Sequence, residues 1–448
     1  MREALVELRR LVALSVPLAV TQLGNMMLGV VDTLMLGRVS REALDAAALG
    51  NLWLMGTLVL GTGVVLGLDP LVAQAHGAGD GRRLGLLLQR GVVVALLVSV
   101  PVMLLWTVTG PVLELLGQAP HLAAEAQTYA LVNLPGASAI LVYAAMRAYL
   151  QGRGIAGPAL QVVLLANVLN VVADAWLIFG GLGVPALGVA GAGLATGIVR
   201  LFMVAALAWV IVRRGLYVGA WTPWSRAALD RGELAAIAAI GLGIGLQIGF
   251  EVWAFQAAML FAGWLGEVPL AAYSVVINLA SVSFMVPLGI GMAAAVRVGN
   301  LIGAGRPREA QRSAWVALAL GAAVMCASAL AFVVLRDALP AMYGVDPEVQ
   351  ALAAATLPIA AAFQVFDGTQ AVGCGILRGM GRTGPAAWIN LVGYWALALP
   401  LAYWLAFPQG QGVHGLWWGL TAGLLVVAAA LVGWIAVRGP AGAVYRRG

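Results

Sequence analysis

Residues 11–36 read LVALSVPLAVTQLGNMMLGVVDTLML, and Asp32 is the one ionisable side chain among them. A helix rises about 1.5 Å per residue, so this run spans about 39 Å, against roughly 30 Å for the hydrocarbon core of a bilayer. It is too long for the apolar core of a secretory signal, and no small-residue cleavage site follows it. The stretch therefore predicts a membrane-spanning helix retained in the protein.

The same pattern recurs along the chain. Apolar runs between charged or Gly/Pro breaks predict twelve spans, at 11–36, 46–75, 86–108, 121–147, 158–180, 186–212, 233–262, 268–296, 312–335, 348–376, 384–406 and 412–438. Composition agrees. The 448 residues are 62% hydrophobic and 10% charged, whereas soluble domains average about 45–50% and about 25%. A soluble enzyme, a nucleic-acid-binding domain and a disordered scaffold are excluded, and the lipid bilayer is the first partner implied.

The formal charge is +6, and all 25 basic residues are Arg. Nearly all fall on the side of the N-terminus, in the gaps after even-numbered spans and at Arg438, Arg446 and Arg447. The opposite side holds only Arg38, Arg41 and Arg336. By the positive-inside rule both termini are expected in the cytoplasm.

Three glycine-rich turns recur half a chain apart. Gly77-Ala78-Gly79 returns as Gly303-Ala304-Gly305, offset by 226 residues. Gly152-Arg153-Gly154 through Pro158-Ala159 returns as Gly379-Met380-Gly381 through Pro385-Ala386, offset by 227. Gly188-Val189-Ala190-Gly191 returns as Gly412-Val413-His414-Gly415, offset by 224. The expected fold is an all-α integral membrane protein with two six-helix lobes, 1–220 and 221–448. Six is even, so both lobes enter the membrane in the same sense, a parallel repeat typical of secondary transporters.

Ionisable groups within spans are costly and mark ion or substrate paths. Glu251 and Asp367 fall near the middle of spans 7 and 10. Asp32 and Asp174 lie nearer the ends of spans 1 and 5. Asn170 precedes Asp174 by one helical turn and Asn167 by another, forming a polar stripe on an apolar helix. A carboxyl in such a cavity can exchange a proton or hold Na⁺ with neighbouring oxygens, so H⁺ and Na⁺ are both candidate coupling ions. Arg200 is the one basic residue deep in a span, and Asp174 is its expected partner. Pro135 in span 4 predicts a bend. The small residues at the start of span 7, Gly241 and Gly245 among them, predict a close helix contact.

Enzyme chemistry finds no support. His76, His121 and His414 are far apart, and no H-E-x-x-H, G-x-S-x-G or Walker A pattern occurs. Neither a cofactor nor a resident metal is implied.

Taken in order, Pro17 through Gln22, Val31-Asp32-Thr33 through Gly37, Pro70 through Gly79, Val298 through Gly305 and Gln370 through Gly381 resemble the multidrug and toxic compound extrusion family, in its NorM-like branch. The likeness covers essentially the whole chain. It implies efflux of lipophilic, cationic, amphipathic compounds driven by inward H⁺ or Na⁺, with two lobes rocking between inward- and outward-facing states. A bacterial inner-membrane location and a single-chain transporter go with it. The resemblance carries ion or substrate binding to Glu251 and Asp367, and a first-lobe constellation to Asp32, Asn170 and Asp174, with Thr196 as a fourth oxygen. Arg200 and Asn167 stand in support. Where that branch often has a Tyr one turn before the tenth-helix acid, this chain has Phe363. A lipid-linked oligosaccharide flippase of the related fold is the alternative reading.

Overall fold

The computed structural model describes residues 2–181 and 183–442; Arg446 and Arg447 lie outside the described residues. In order, the helices are α1 (Arg2–Leu36), α2 (Arg41–Leu66), α3 (Leu68–Gly77), α4 (Gly81–Thr107), α5 (Thr109–Leu115), α6 (Pro120–Val132), α7 (Leu134–Gly152), α8 (Gly157–Phe179) and α9 (Gly188–Arg213). They continue with α10 (Arg231–Leu265), α11 (Glu267–Gly303), α12 (Pro307–Val334), α13 (Ala338–Ala341), α14 (Pro347–Gly379), α15 (Thr383–Asn390), α16 (Leu399–Ala406) and α17 (Gly412–Arg438). Among the described residues, eleven stretches are long and apolar enough to cross a membrane, α2 with α3 and α15 through α16 each counting as one. The pair α6–α7, bent by 51°, brings the number to twelve. The expected all-α membrane protein is thus the observed one. Apolar side chains such as Leu104 (63% exposed) and Val168 (64%) face outward, as a lipid-facing surface requires.

Proline and glycine explain the irregularities. The α6–α7 bend falls at Asn133, with Pro135 in the first turn of α7, where its missing N–H costs least. Ahead of Pro400 the chain runs as a π-helix over Leu391–Ala398. A proline inside a helix lacks one ladder donor and collides with the carbonyl a turn earlier, and the wider turn relieves both.

The sequence repeat is a backbone repeat. Gly79 and Gly305 have φ of 72° and 70°, Gly154 and Gly381 75° and 72°, and Gly188 and Gly412 53° and 56°. Side chains with a Cβ rarely adopt this left-handed region. At the first pair the same hydrogen bonds close the helix, Gly79 N to His76 O and Gly305 N to Ile302 O, each 3.0 Å.

Contacts gather the chain into two compact units, Met1–Val20 with Leu246–Gly448, and Thr21–Gly245. These boundaries differ from the expected lobes at 1–220 and 221–448, because α1 and α10 each contribute to both units. In the first unit, Glu7 on α1 pairs in a fork with Arg297 on α11, at 2.7 and 3.0 Å. A Cβ added at Gly289 would stand 2.6 Å from Ala19 N. In the second, Arg90 on α4 donates to Glu233 on α10 at 2.8 Å. Gly241 presses so closely on Val64 that a Cβ would lie 2.5 Å from its Cα. The small residues of span 7 thus make the expected close contact.

The side chains of Glu7 and Arg297 are only 10% and 20% exposed. Removing one partner of a largely buried, bidentate pair leaves the other charge poorly solvated. Glu7→Ala is therefore expected to destabilise the protein by about 2–4 kcal/mol, read as a lower thermal unfolding midpoint in detergent, with Glu7→Gln losing less. An unchanged midpoint for Glu7→Ala would refute this.

Candidate functional site

In the unit Thr21–Gly245, a cavity of about 430 Å³ opens among α1, α2, α6, α7, α8 and α9. Asp32 reaches it from α1, Asn170 from α8 and Thr196 from α9. The Asn170 amide donates to Asp32 Oδ1 and to Asp174 Oδ2, both at 2.9 Å. Thr196 Oγ1 lies 3.0 Å from Asp32 Oδ2 and 3.0 Å from the Ala192 carbonyl, so its single proton goes to one of the two. Asn170 and Asp174 are almost wholly buried, at 1% and 0% exposure. The four residues named from the sequence therefore come together.

Two supporting residues behave differently. Arg200 does not pair with Asp174. Its Nη1 donates to Asn133 Oδ1 at 3.3 Å, at the α6–α7 break, and among carboxyls Asp32 is the one whose charge acts on it. The broken helix exposes an amide oxygen to Arg200, and Asp174 spends its Oδ2 on Asn170. Asn167 does not reach the cluster. Its amide donates to the carbonyls of Gly24 and Val163, each at 2.9 Å, and so ties α8 to α1. Tyr129, absent from the sequence-based set, lines the same cavity and bonds to Thr196.

The unit Met1–Val20 with Leu246–Gly448 has its own cavity, of about 380 Å³, lined by both Glu251 and Asp367. They are 8% and 5% exposed. Glu251 Oε2 accepts from Gln370 at 2.8 Å and from Gln247 at 3.3 Å. Asp367 feels the Glu251 charge, and its Oδ1 has no hydrogen-bond partner, as is true of Gln370 Oε1. Two buried carboxylate charges in mutual reach repel each other and lack solvation, so a proton or a cation relieves both costs. Among the described residues no three His, Cys, Asp or Glu side chains group as a metal centre would need.

The wall of this cavity is aromatic. Phe363 packs edge-on against Phe255 at 5.9 Å and Trp417 at 5.2 Å. Tyr394, from the π-helical stretch, packs on Phe255 at 5.7 Å. Its hydroxyl is buried, has no partner, and feels both Glu251 and Asp367. The phenol that lines the cavity is that of Tyr273, whose hydroxyl donates to the Phe255 carbonyl at 3.2 Å and not to either acid. Spacing could have revealed the two glutamines, since Gln247 and Gln370 lie four and three residues from the acids, on their helix faces. Nothing local points to Tyr394.

A duplicated helical fold with buried carboxyls beside an apolar cavity in each unit defines a membrane transporter, not an enzyme. The chain belongs to the MatE family, whose model matches residues 17–176 and 244–404, one stretch in each half. It is 34% identical to the multidrug resistance protein PmpM of Pseudomonas aeruginosa, covering 95% of this chain and 90% of the relative. It is 36% identical to the multidrug resistance protein NorM of Burkholderia vietnamiensis, covering 94% and 92%. The crystal structure of the eukaryotic MATE transporter AtDTX14 superposes with a TM-score of 0.90 at 24% identity, covering 99% and 98% of the two chains, and shares the fold.

Proposed function

We propose that the chain exports amphipathic, lipophilic cations across a bacterial inner membrane, exchanging them for inward H⁺ or Na⁺ as two lobes rock between inward- and outward-facing states. Both termini lie in the cytoplasm, and a single chain carries out the cycle. Glu251 and Asp367 take the coupling ion or the cationic substrate in alternation. Asp32, Asn170, Asp174 and Thr196 form a second cation site. The observation that supports this best is the Glu251–Asp367 cavity, with two buried carboxyls against an aromatic wall. Aromatic faces attract organic cations, and charge neutralisation by one ion excludes a second. The multidrug names of PmpM and NorM favour export of drugs over lipid flipping.

Retention of ethidium in pump-deficient bacteria tests the reading. Cells expressing the chain should retain less dye than cells with empty vector. A protonophore or a Na⁺ ionophore, whichever collapses the coupling gradient, should restore retention. Equal retention with and without the chain overturns export, and export that survives both ionophores overturns antiport.

A further inference from the structure

Between α9 and α10 the chain crosses one end of the unit Thr21–Gly245 as a strap, residues 214–230. The strap is held by its backbone. Gln89 donates to the Thr222 carbonyl at 2.6 Å, Arg90 Nη2 to that of Ala227 at 3.2 Å, and the Tyr149 hydroxyl to that of Ala220 at 2.8 Å. Arg153 donates to the Leu216 carbonyl. Two glycines of α4 let the strap close on it. A Cβ at Gly81 would meet Gly219 O, and one at Gly85 would stand 2.6 Å from Thr222 N. Ala220 and Ala228 are buried on this inner side.

The large side chains face out. Val218 is 70% exposed, Trp221 42%, Trp224 57% and Leu229 59%. Apolar groups of this size left in water are costly, and a contiguous set marks a contact surface. They continue the outer face of α9, a membrane-crossing helix whose Trp209 and Val212 are also exposed. Interleaved with them are Arg213, Arg214, Arg226 and Arg231, all exposed. Arg214 reaches the neutral Gln161 at 2.8 Å. Among the described residues no acid forms an ion pair with any of the four. The one acid of the strap, Asp230, caps α10 by accepting from Glu233 N at 3.0 Å, and Glu233 itself is taken by Arg90.

We propose that this strap is a docking site for the headgroups of anionic phospholipids, with Trp221 and Trp224 as its anchors. Clustered arginines beside a membrane helix attract anionic lipid, and indole rings settle at headgroup level. Guanidinium groups suit phosphate oxygens in charge and geometry. Because the backbone is already fixed to α4 and α7, these side chains are presented at little ordering cost. The strap follows six spans, an even number, so the leaflet concerned is the one on the side of the N-terminus. The proposal is independent of what the chain transports.

Tryptophan quenching by brominated lipids tests it. The full-length chain is placed in phosphatidylcholine nanodiscs, and brominated phosphatidylglycerol or brominated phosphatidylcholine is raised stepwise. The signal of the strap is the difference between wild type and Trp221→Phe/Trp224→Phe. Half-quenching of that signal should need about 3- to 10-fold less of the anionic lipid. Gln at all four of Arg213, Arg214, Arg226 and Arg231 should bring the two lipids level, whereas Lys at all four should keep most of the preference, since a lipid surface reads charge. Salt of about 1 M should also level them for wild type, which decides the matter should the Gln variant not fold. Quenching of the remaining tryptophans by brominated phosphatidylcholine is the control for folding. Equal quenching by both lipids in wild type, or a preference that survives the Gln variant or the salt, overturns the proposal. So do strap tryptophans that neither lipid quenches, which would leave this face to water or to another protein molecule.

Discussion

Cells expressing Asp367→Asn or Glu251→Gln are expected to retain a lipophilic cationic dye as cells with empty vector do, at membrane expression matched to wild type. Each amide keeps the size of the carboxyl it replaces, and at 251 its oxygen can still accept from the glutamines nearby. What it cannot do is carry a negative charge or take and release a proton. Glu251 accepts from Gln370 and Gln247, so Glu251→Gln sets an amide against two amide donors and leaves the fold otherwise intact. If the coupling ion and the substrate compete for these charges, the initial rate of export should fall by at least about tenfold, equivalent to about 1.4 kcal/mol or more in the limiting barrier. Equal export by wild type and Glu251→Gln would remove this cavity from the mechanism. Loss in Asp32→Asn with full export in Asp367→Asn would move coupling to the other cavity.

The second large effect is structural. Gly375 on α14 meets Gly291 on α11 backbone to backbone. A Cβ at 375 would stand 2.7 Å from Gly291 Cα, and one at 291 would stand 2.7 Å from the Ala371 carbonyl. Neither neighbour is a side chain that can turn aside, so two helices must separate and the surrounding core with them. Gly375→Val should abolish recovery of folded, monodisperse protein, and Gly375→Ala should cost about 1–3 kcal/mol. Gly384→Ala is the control, because nothing lies within 4 Å of its added Cβ. Alanine is also the better helix former there, by about 0.5–1 kcal/mol. Normal size-exclusion behaviour for Gly375→Val would refute the close-contact argument.

The four acids were legible before any coordinates. A carboxyl inside an apolar run stands out because hydrocarbon penalises charge, and that penalty is local to the helix. The constellation of Asp32, Asn170, Asp174 and Thr196 assembled as expected, since Asn170 and Asp174 share a helix face. Arg200 did not follow its expectation. Asn133 takes its guanidinium, and a side-chain amide exposed by a helix break has no signature in apolar periodicity. Arg147 escaped notice for a related reason. Five residues from the end of α7, it reads as an interfacial charge, yet packing of α7 against the rest of its unit buries it.

By itself the sequence determined the membrane as solvent, the number of spans, the duplication and the place of each acid within an apolar run. All of these follow from apolar run length, from glycine at turns that need positive φ, and from 1.5 Å of rise per residue. Only the tertiary structure decided that α1 and α10 divide between compact units, that Gln370 on α14 reaches Glu251 on α10, and that Arg147 lines a cavity. These depend on which helix faces meet. Helix pairing in lipid is set by small residues, bends and interhelical hydrogen bonds between positions far apart in the chain, and no single apolar run encodes them.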